Sequence, residues 1–205
     1  MTNAHQPFPP ENQWDLLAEH GRGLDRGYHA LWVETDDQED LAARFRVDLD
    51  SRLECDVETL ARTYKGRPAK AIWIGSHAPG WTHLFVFGMT KSYPAITNLG
   101  KRRVFDMQYT GDVGEGLSPL YLIYDGEVLG DANPPYEEGG YMSLPDYRPF
   151  TEGLAFDPEG DDEHDVHVLW CVIGRITGRF ADQEWWTASR TFYSIPAEAW
   201  TAEQR

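Results

Sequence analysis

The chain of 205 residues carries 34 acidic against 18 basic side chains, a formal charge of -16, with 41% apolar and 13% aromatic residues. That length and apolar content suit one globular domain with a sizeable core and exclude a disordered chain. The acid excess argues against nucleic acid as a partner, because phosphates are held by clustered Lys and Arg, and no run of 18 apolar residues offers a membrane span.

The opening MTNAHQPFPPENQ has neither a basic nor an apolar region of secretory type. Cys55 and Cys171 form no metal or redox spacing. Buried, reduced thiols in a cytoplasmic protein are the expectation. Residues 1–9 and 197–205 read as flexible tails.

After Pro10, ENQWDLLAEH predicts a helix with Trp14, Leu17 and Ala18 on one face and Gly21 as its stop. YHALWVE (28–34) fits a strand or a continuing helix, and periodicity does not choose. In DDQEDLAARF, Asp36 stands three before Glu39 as in a capping box, and Leu41, Ala42 and Phe45 make the apolar face. DVETLARTY predicts a short helix capped by Asp56.

Strands dominate from there. KAIWIGS and WTHLFVFGM flank a turn at 77–80, and RVFDMQYT (103–110) and PLYLIYDG (119–126) follow. Asp125-Gly126 is a two-residue hairpin signal leading into EVLGD. GDVGEG (111–116) opens no helix and has no Lys-Ser/Thr after it, so it reads as a loop rather than a phosphate cradle. Residues 131–163 form a long acidic, aromatic-containing loop; over 131–165 there are eleven acids and one base, Arg148. HDVHVLWCVIGRITG (164–178) is the best helix, with Gly178 as its stop. DQEWWTASR predicts a weaker helix and TFYSIP a last strand. The pattern is α+β: one domain built on an antiparallel sheet, with N-terminal and C-terminal helices packed against it.

The order of these segments resembles an actinobacterial family of domains of unknown function, the one numbered sixty-four sixty-one. GLDRGYHALWVETDDQEDLAARF is similar to its opening, GWTHLFVFGM to its Trp strand, and PLYLIYDGEVLGD to its Asp-Gly hairpin. IGRITGRFADQEWW and the later Ile-Pro are similar to its closing helix. The resemblance spans roughly residues 24–196, while the stretch from Asp131 to Phe156 is longer and more acidic than the family's. It implies a fold and a lineage; the family has no established activity and supplies no catalytic residues.

Candidate sites follow from residue type. Ala78-Pro79-Gly80-Trp81 suits a type II turn. Pairing around it sets Ser76 against Trp81, Ile74 against His83 and Ile72 against Phe85. His83 then sits among large aromatics, where a satisfied core histidine is the commoner outcome and a general base the alternative. His77, beside the turn, is expected to be exposed. His164 and His167 share a helix face and are the candidates for a metal, with His167 a second candidate base, but no third ligand is spaced to complete a set, so no metal or cofactor is expected. G-x-S-x-G, H-E-x-x-H and C-x-x-C are absent. Tyr136, Tyr141, Tyr147 and Phe150, on a loop stiffened by four prolines, are candidate contact residues, joined by Trp81 of the neighbouring sheet. The alternative is that these rings staple the loop down. The leading expectation is a non-catalytic binding or regulatory module that holds a protein or small-molecule partner with this loop. The alternatives are a small enzyme of specialised metabolism with a histidine base, and an acidic, immunity-type or decoy protein that engages a basic partner.

Overall fold

The computed structural model describes residues 7–64, 70–88, 93–111, 116–133, 141–157 and 161–200. Its helices are α1 (Gln13–His20), α2 (Gln38–Arg44), α3 (Val57–Tyr64), α4 (Tyr93–Thr97), α5 (Asp162–Thr177) and α6 (Gln183–Thr187). Its strands are β1 (Gly27–Val33), β2 (Leu53–Cys55), β3 (Ala71–Ala78), β4 (Trp81–Phe87), β5 (Arg103–Thr110), β6 (Gly116–Leu117), β7 (Leu120–Tyr124), β8 (Glu127–Asn133), β9 (Tyr141–Met142) and β10 (Arg190–Ser194). All join one antiparallel sheet in the order β2-β10-β3-β4-β1-β5-β7-β8-β9, with β6 attached to β5. The α+β expectation holds.

Strand β1 lies at the centre, and its position explains why its periodicity did not choose. Tyr28, Ala30 and Trp32 enter one core while Leu31 and Val33 enter another. A strand buried on both faces has no polar alternation to display. The first core lies beneath α1, α5 and α6, which contribute Leu16, Leu17, Leu169, Ile173, Trp185 and Trp186. The second lies beneath α2 and α4, with Leu41, Phe45 and Ile96. Helices therefore cover both sheet faces, one layer more than the termini alone would supply.

Local signals place most boundaries. Asn12 caps α1, and Asp161 caps α5 by accepting from the amides of Glu163 and His164. Gly178 ends α5 at φ +82°. Asp56 accepts from the Thr59 amide at the start of α3. Asp125 and Gly126 both take positive φ, as a type I′ hairpin requires.

Four expectations need correction. Asp37 rather than Asp36 caps α2; Asp36 instead accepts from the Gly80 amide, 2.8 Å away, and so braces the β3–β4 turn. Ala18 is exposed rather than part of the buried face of α1: Gln13, Leu16 and Leu17 are buried, and Trp14, partly buried, packs against the same core. Part of the predicted 131–163 loop is ordered backbone, because β8 continues to Asn133, β9 pairs with it and residues 145–151 form a 3-10 helix. The described ends of both tails are tied down. Arg175 Nε donates to the Pro7 carbonyl, and Trp200 Nε1 donates to the Phe45 carbonyl beneath the Arg46 guanidinium. Residues 1–6 and 201–205, with most of GDVGEG, lie outside the described residues.

Ile173 is 1% exposed in the first core. Ile173→Asp should cost several kcal/mol through an unpaired buried carboxylate, enough to abolish soluble expression. A soluble variant melting within a few degrees of the parent by circular dichroism would show that α5 is peripheral.

Candidate functional site

The hairpin of β3 and β4 brings the two histidines of the sequence inside. Gly80 takes φ +80° in the turn. Ala78 pairs with Trp81 and Ser76 with Thr82, so His77 is an extra residue, a bulge, in β3. The remaining register is shifted by one from expectation: Ile74 faces Leu84, Gly75 faces His83 and Trp73 faces Phe85. The bulge turns the His77 ring inward. Far from exposed, it is 1% accessible, and His83 is fully buried.

The hydrogen bonds around His77 fix its tautomer. Trp185 Nε1 donates to His77 Nδ1 at 2.9 Å, so the imidazole proton sits on Nε2 and is donated to Thr177 Oγ1, also at 2.9 Å. Thr177 Oγ1 donates in turn to the Ile173 carbonyl, and Arg179 donates to the His77 carbonyl. Burial, reinforced by Arg190 and Arg179, pushes His77 down to about 3. His83 is held well below the ordinary histidine value by burial, then by Arg190 and His77.

Arg190 joins the parts. Its guanidinium carbon lies 3.8 Å from the Trp185 ring centroid and 4.7 Å from that of Trp73. Nη2 donates to the Trp185 carbonyl, and Nη1 is 3.4 Å from His83 Nδ1. The stem crosses Gly75, where a Cβ would stand 2.6 Å from Arg190 Cγ. Burial, then Arg179, lowers Arg190 to about 9. His83 is therefore enclosed among Trp32, Phe85, Trp185 and Arg190 and cannot meet a substrate as a base. The cluster clamps α5, α6 and β10 to the central hairpin.

The other histidine pair borders a cleft of about 620 Å³ at the start of α5, walled by Phe8, residues 153–157, Asp161, His164, His167 and Val168. His164 Nε2 donates to the Ala155 carbonyl at 2.7 Å. His167 Nδ1 accepts the Gln13 amide at 3.0 Å, which locks α1 onto α5 and leaves the proton on Nε2. Burial, then His164, lowers the His167 pKa against an opposing pull from Asp15. Among the described residues, no group of three or more His, Cys, Asp or Glu is arranged to hold a metal. Cys171 is no nucleophile, since burial raises its thiol to about 12.

The loop residues are placed as staples where they are described. Tyr147 is half-buried: its hydroxyl accepts from Arg103 Nη1, and its ring meets Phe105 edge-on at 5.7 Å. Phe150, also half-buried, packs on Tyr147, and its carbonyl accepts from Arg175. Trp81 is 6% exposed beneath the Arg103 guanidinium, which is paired with Glu34. Tyr136 lies outside the described residues, and Tyr141 is placed only as backbone opposite Asn133 in β9. Three exposed apolar side chains lie next door, on the β7–β8 hairpin, Tyr124 at 40%, Val128 at 49% and Leu129 at 50%, while Phe8, Leu49 and Leu53 are exposed singly or elsewhere.

No family model matches this chain, and no curated protein or solved structure does either. One polar pair escaped the sequence reading. His29 Nε2 lies 2.7 Å from Asp106 Oδ1 on the sheet face opposite the Arg190 cluster, and both are largely buried. An acid in mid-strand, where Asp is depleted, was the available signal.

Because His77 and His83 are held neutral, the unfolded chain takes up protons below its histidine pKa of about 6.5 while the folded chain does not. Stability should therefore be complete above that pH and fall as pH drops toward 3. The loss from His77 alone is about 2 kcal/mol at pH 5, and His83 adds to it in the same direction. Urea midpoints at pH 7 and pH 5 measure this. His77→Gln should start lower but lose less between the two; equal losses would contradict the assignment.

Proposed function

We propose that this protein is a non-catalytic binding module and that the β7–β8 hairpin is its docking face for a basic partner. One observation carries the reading: Val128 and Leu129 are exposed side by side in β8, with Tyr124 exposed across the turn. Exposed acids, Asp125 and Glu127, stand among them, and Asp131 lies further along β8. Apolar side chains rimmed by charge are the usual composition of a contact surface. The hairpin is held rigidly: Gly126 abuts Thr97 of α4, and β7 pairs with β5 on its other side. A surface that is already ordered loses little entropy on binding. The acidic segment 131–165 and the charge of -16 favour a basic partner and a fast, salt-sensitive encounter. This moves the contact surface from the loop aromatics to the adjacent strands.

The enzyme reading rests on His167, because His83 is interior. Its Nδ1 lone pair is already occupied by the Gln13 amide and its Nε2 is a donor, the wrong sense for a base. A cytoplasmic setting and membership of the actinobacterial family belong to the same proposal. The order of motifs from residue 24 to residue 196 supports the second. For the first, both cysteines are free and buried, and no described helix is long and apolar enough to cross a membrane.

A labelled peptide of alternating Lys and Val should bind the full chain in fluorescence anisotropy, and added salt should weaken it. Val128→Ser with Leu129→Ser should remove the binding and leave the melting temperature nearly unchanged, because both side chains are exposed. Undiminished binding by the variant, or equal binding of a Glu-Val peptide, would sink the docking face.

A further inference from the structure

We propose that the cleft between the α1–β1 turn and α3 binds a small phosphate-bearing molecule through Arg22, Arg26 and Arg62. These three side chains line one cleft of about 660 Å³, together with Gly23, Asp25, Glu58 and Ala61. All three arginines are exposed. In a chain with 34 acids and 18 bases, basic side chains have acids to spare as partners.

Elsewhere the arginines are committed. Arg44 and Arg102 share Asp40, Arg103 holds Glu34, and Arg52 holds Glu54. Arg46, Arg175, Arg179 and Arg190 donate to backbone carbonyls. The cleft is different. Arg22 has only a loose 3.9 Å approach to Glu58, and Arg62 only a long 3.4 Å contact with Thr59 Oγ1. Arg26 makes no side-chain hydrogen bond or ion pair among the described residues. Guanidinium groups left uncommitted keep their paired N–H donors for a planar, multi-oxygen acceptor, and phosphate is the acceptor they match best.

The backbone under Arg22 is left-handed, as it is under Arg46 after α2. Arg22 takes φ +50°, a left-handed conformation, just after the helix-ending Gly21, and Gly23 follows at φ +103°. The position after a helix C-cap is where glycine is favoured, because a side chain there is strained. An arginine in that place holds its backbone against preference, so replacing it by glycine removes the side chain without adding strain. Asp25 and Glu58 reduce the surplus to one positive charge, which selects a compact ligand able to contact several guanidinium groups at once. A long polyanion would also meet the net negative charge of the whole molecule.

Sodium pyrophosphate is the probe, titrated calorimetrically against the full chain at low ionic strength, with sodium chloride at matched ionic strength as the control. Binding with Kd on the order of 1 mM or tighter is expected, accompanied by a rise in melting temperature. Arg22→Gly should hold or raise the melting temperature of the unliganded chain, since glycine suits φ +50°, while pyrophosphate affinity falls about tenfold, the equivalent of one lost charged contact. Arg26→Gln with Arg62→Gln should remove the binding; if that variant does not fold, Arg22→Gly alone decides. Pyrophosphate heats no larger than those of chloride, or affinity unchanged in Arg22→Gly, would overturn the site. Tighter retention of a single-stranded oligonucleotide than of pyrophosphate would overturn the small-molecule assignment.

Discussion

A guanidinium held between two indole rings is the constraint around which the larger core is arranged. Burial lowers Arg190 to about 9, so the guanidinium stays charged at neutral pH inside the core. The faces of Trp73 and Trp185 offset part of the cost of burying that charge. Gly75 is needed as well, because its missing Cβ admits the stem. Through Trp185 the stack reaches His77, and through His77 it reaches Thr177 at the end of α5. A sheet strand, a hairpin bulge and two helices are thereby fixed against each other by one side chain.

Much of the fold was legible in the sequence because its signals were local. The strand 103–110, the Asp125-Gly126 turn, the Gly178 stop and the apolar face of Leu41, Ala42 and Phe45 are set by neighbours within a few residues. Failures came where distant parts of the chain decide. The register of β3 depends on a bulge whose inward ring is held by Trp185 and Thr177, about a hundred positions away. His77 looked like an exposed turn residue because nothing within the hairpin announces that partner. Likewise β1 hides its state because two separate helix layers cover it.

Sites were less legible than the fold, and for a related reason. Residues with chemical potential drew attention as types, yet an interior fold consumes such residues as fasteners. His83, His167, Tyr147 and Trp81 all carry chemistry in principle, and all are engaged in holding elements together. Among the described residues, the side chains with few partners include plainer ones: three apolar ones on the β7–β8 hairpin and three arginines beside α3, two of them only loosely held. Neither set forms a motif in sequence, since what distinguishes them is how little they engage other described residues in the folded chain.

The strand order carries a consequence for how the molecule is made. Strand β10, close to the end of the described chain, lies between β2 and β3 and joins them. During synthesis β1, β3, β4 and β5 can pair as soon as they leave the ribosome, since their connections are short-range or need only earlier residues. Strand β2 has no neighbour in the sheet until residues 190–194 arrive. The same later segment delivers Arg190, so the aromatic faces of Trp73 and its surroundings wait uncovered until residues 190–194 have been made. Long-range closure of this kind slows folding and leaves a nascent edge open. Such a chain is one for which a holding chaperone, or slow elongation in the residues before β10, would raise the yield of native molecules.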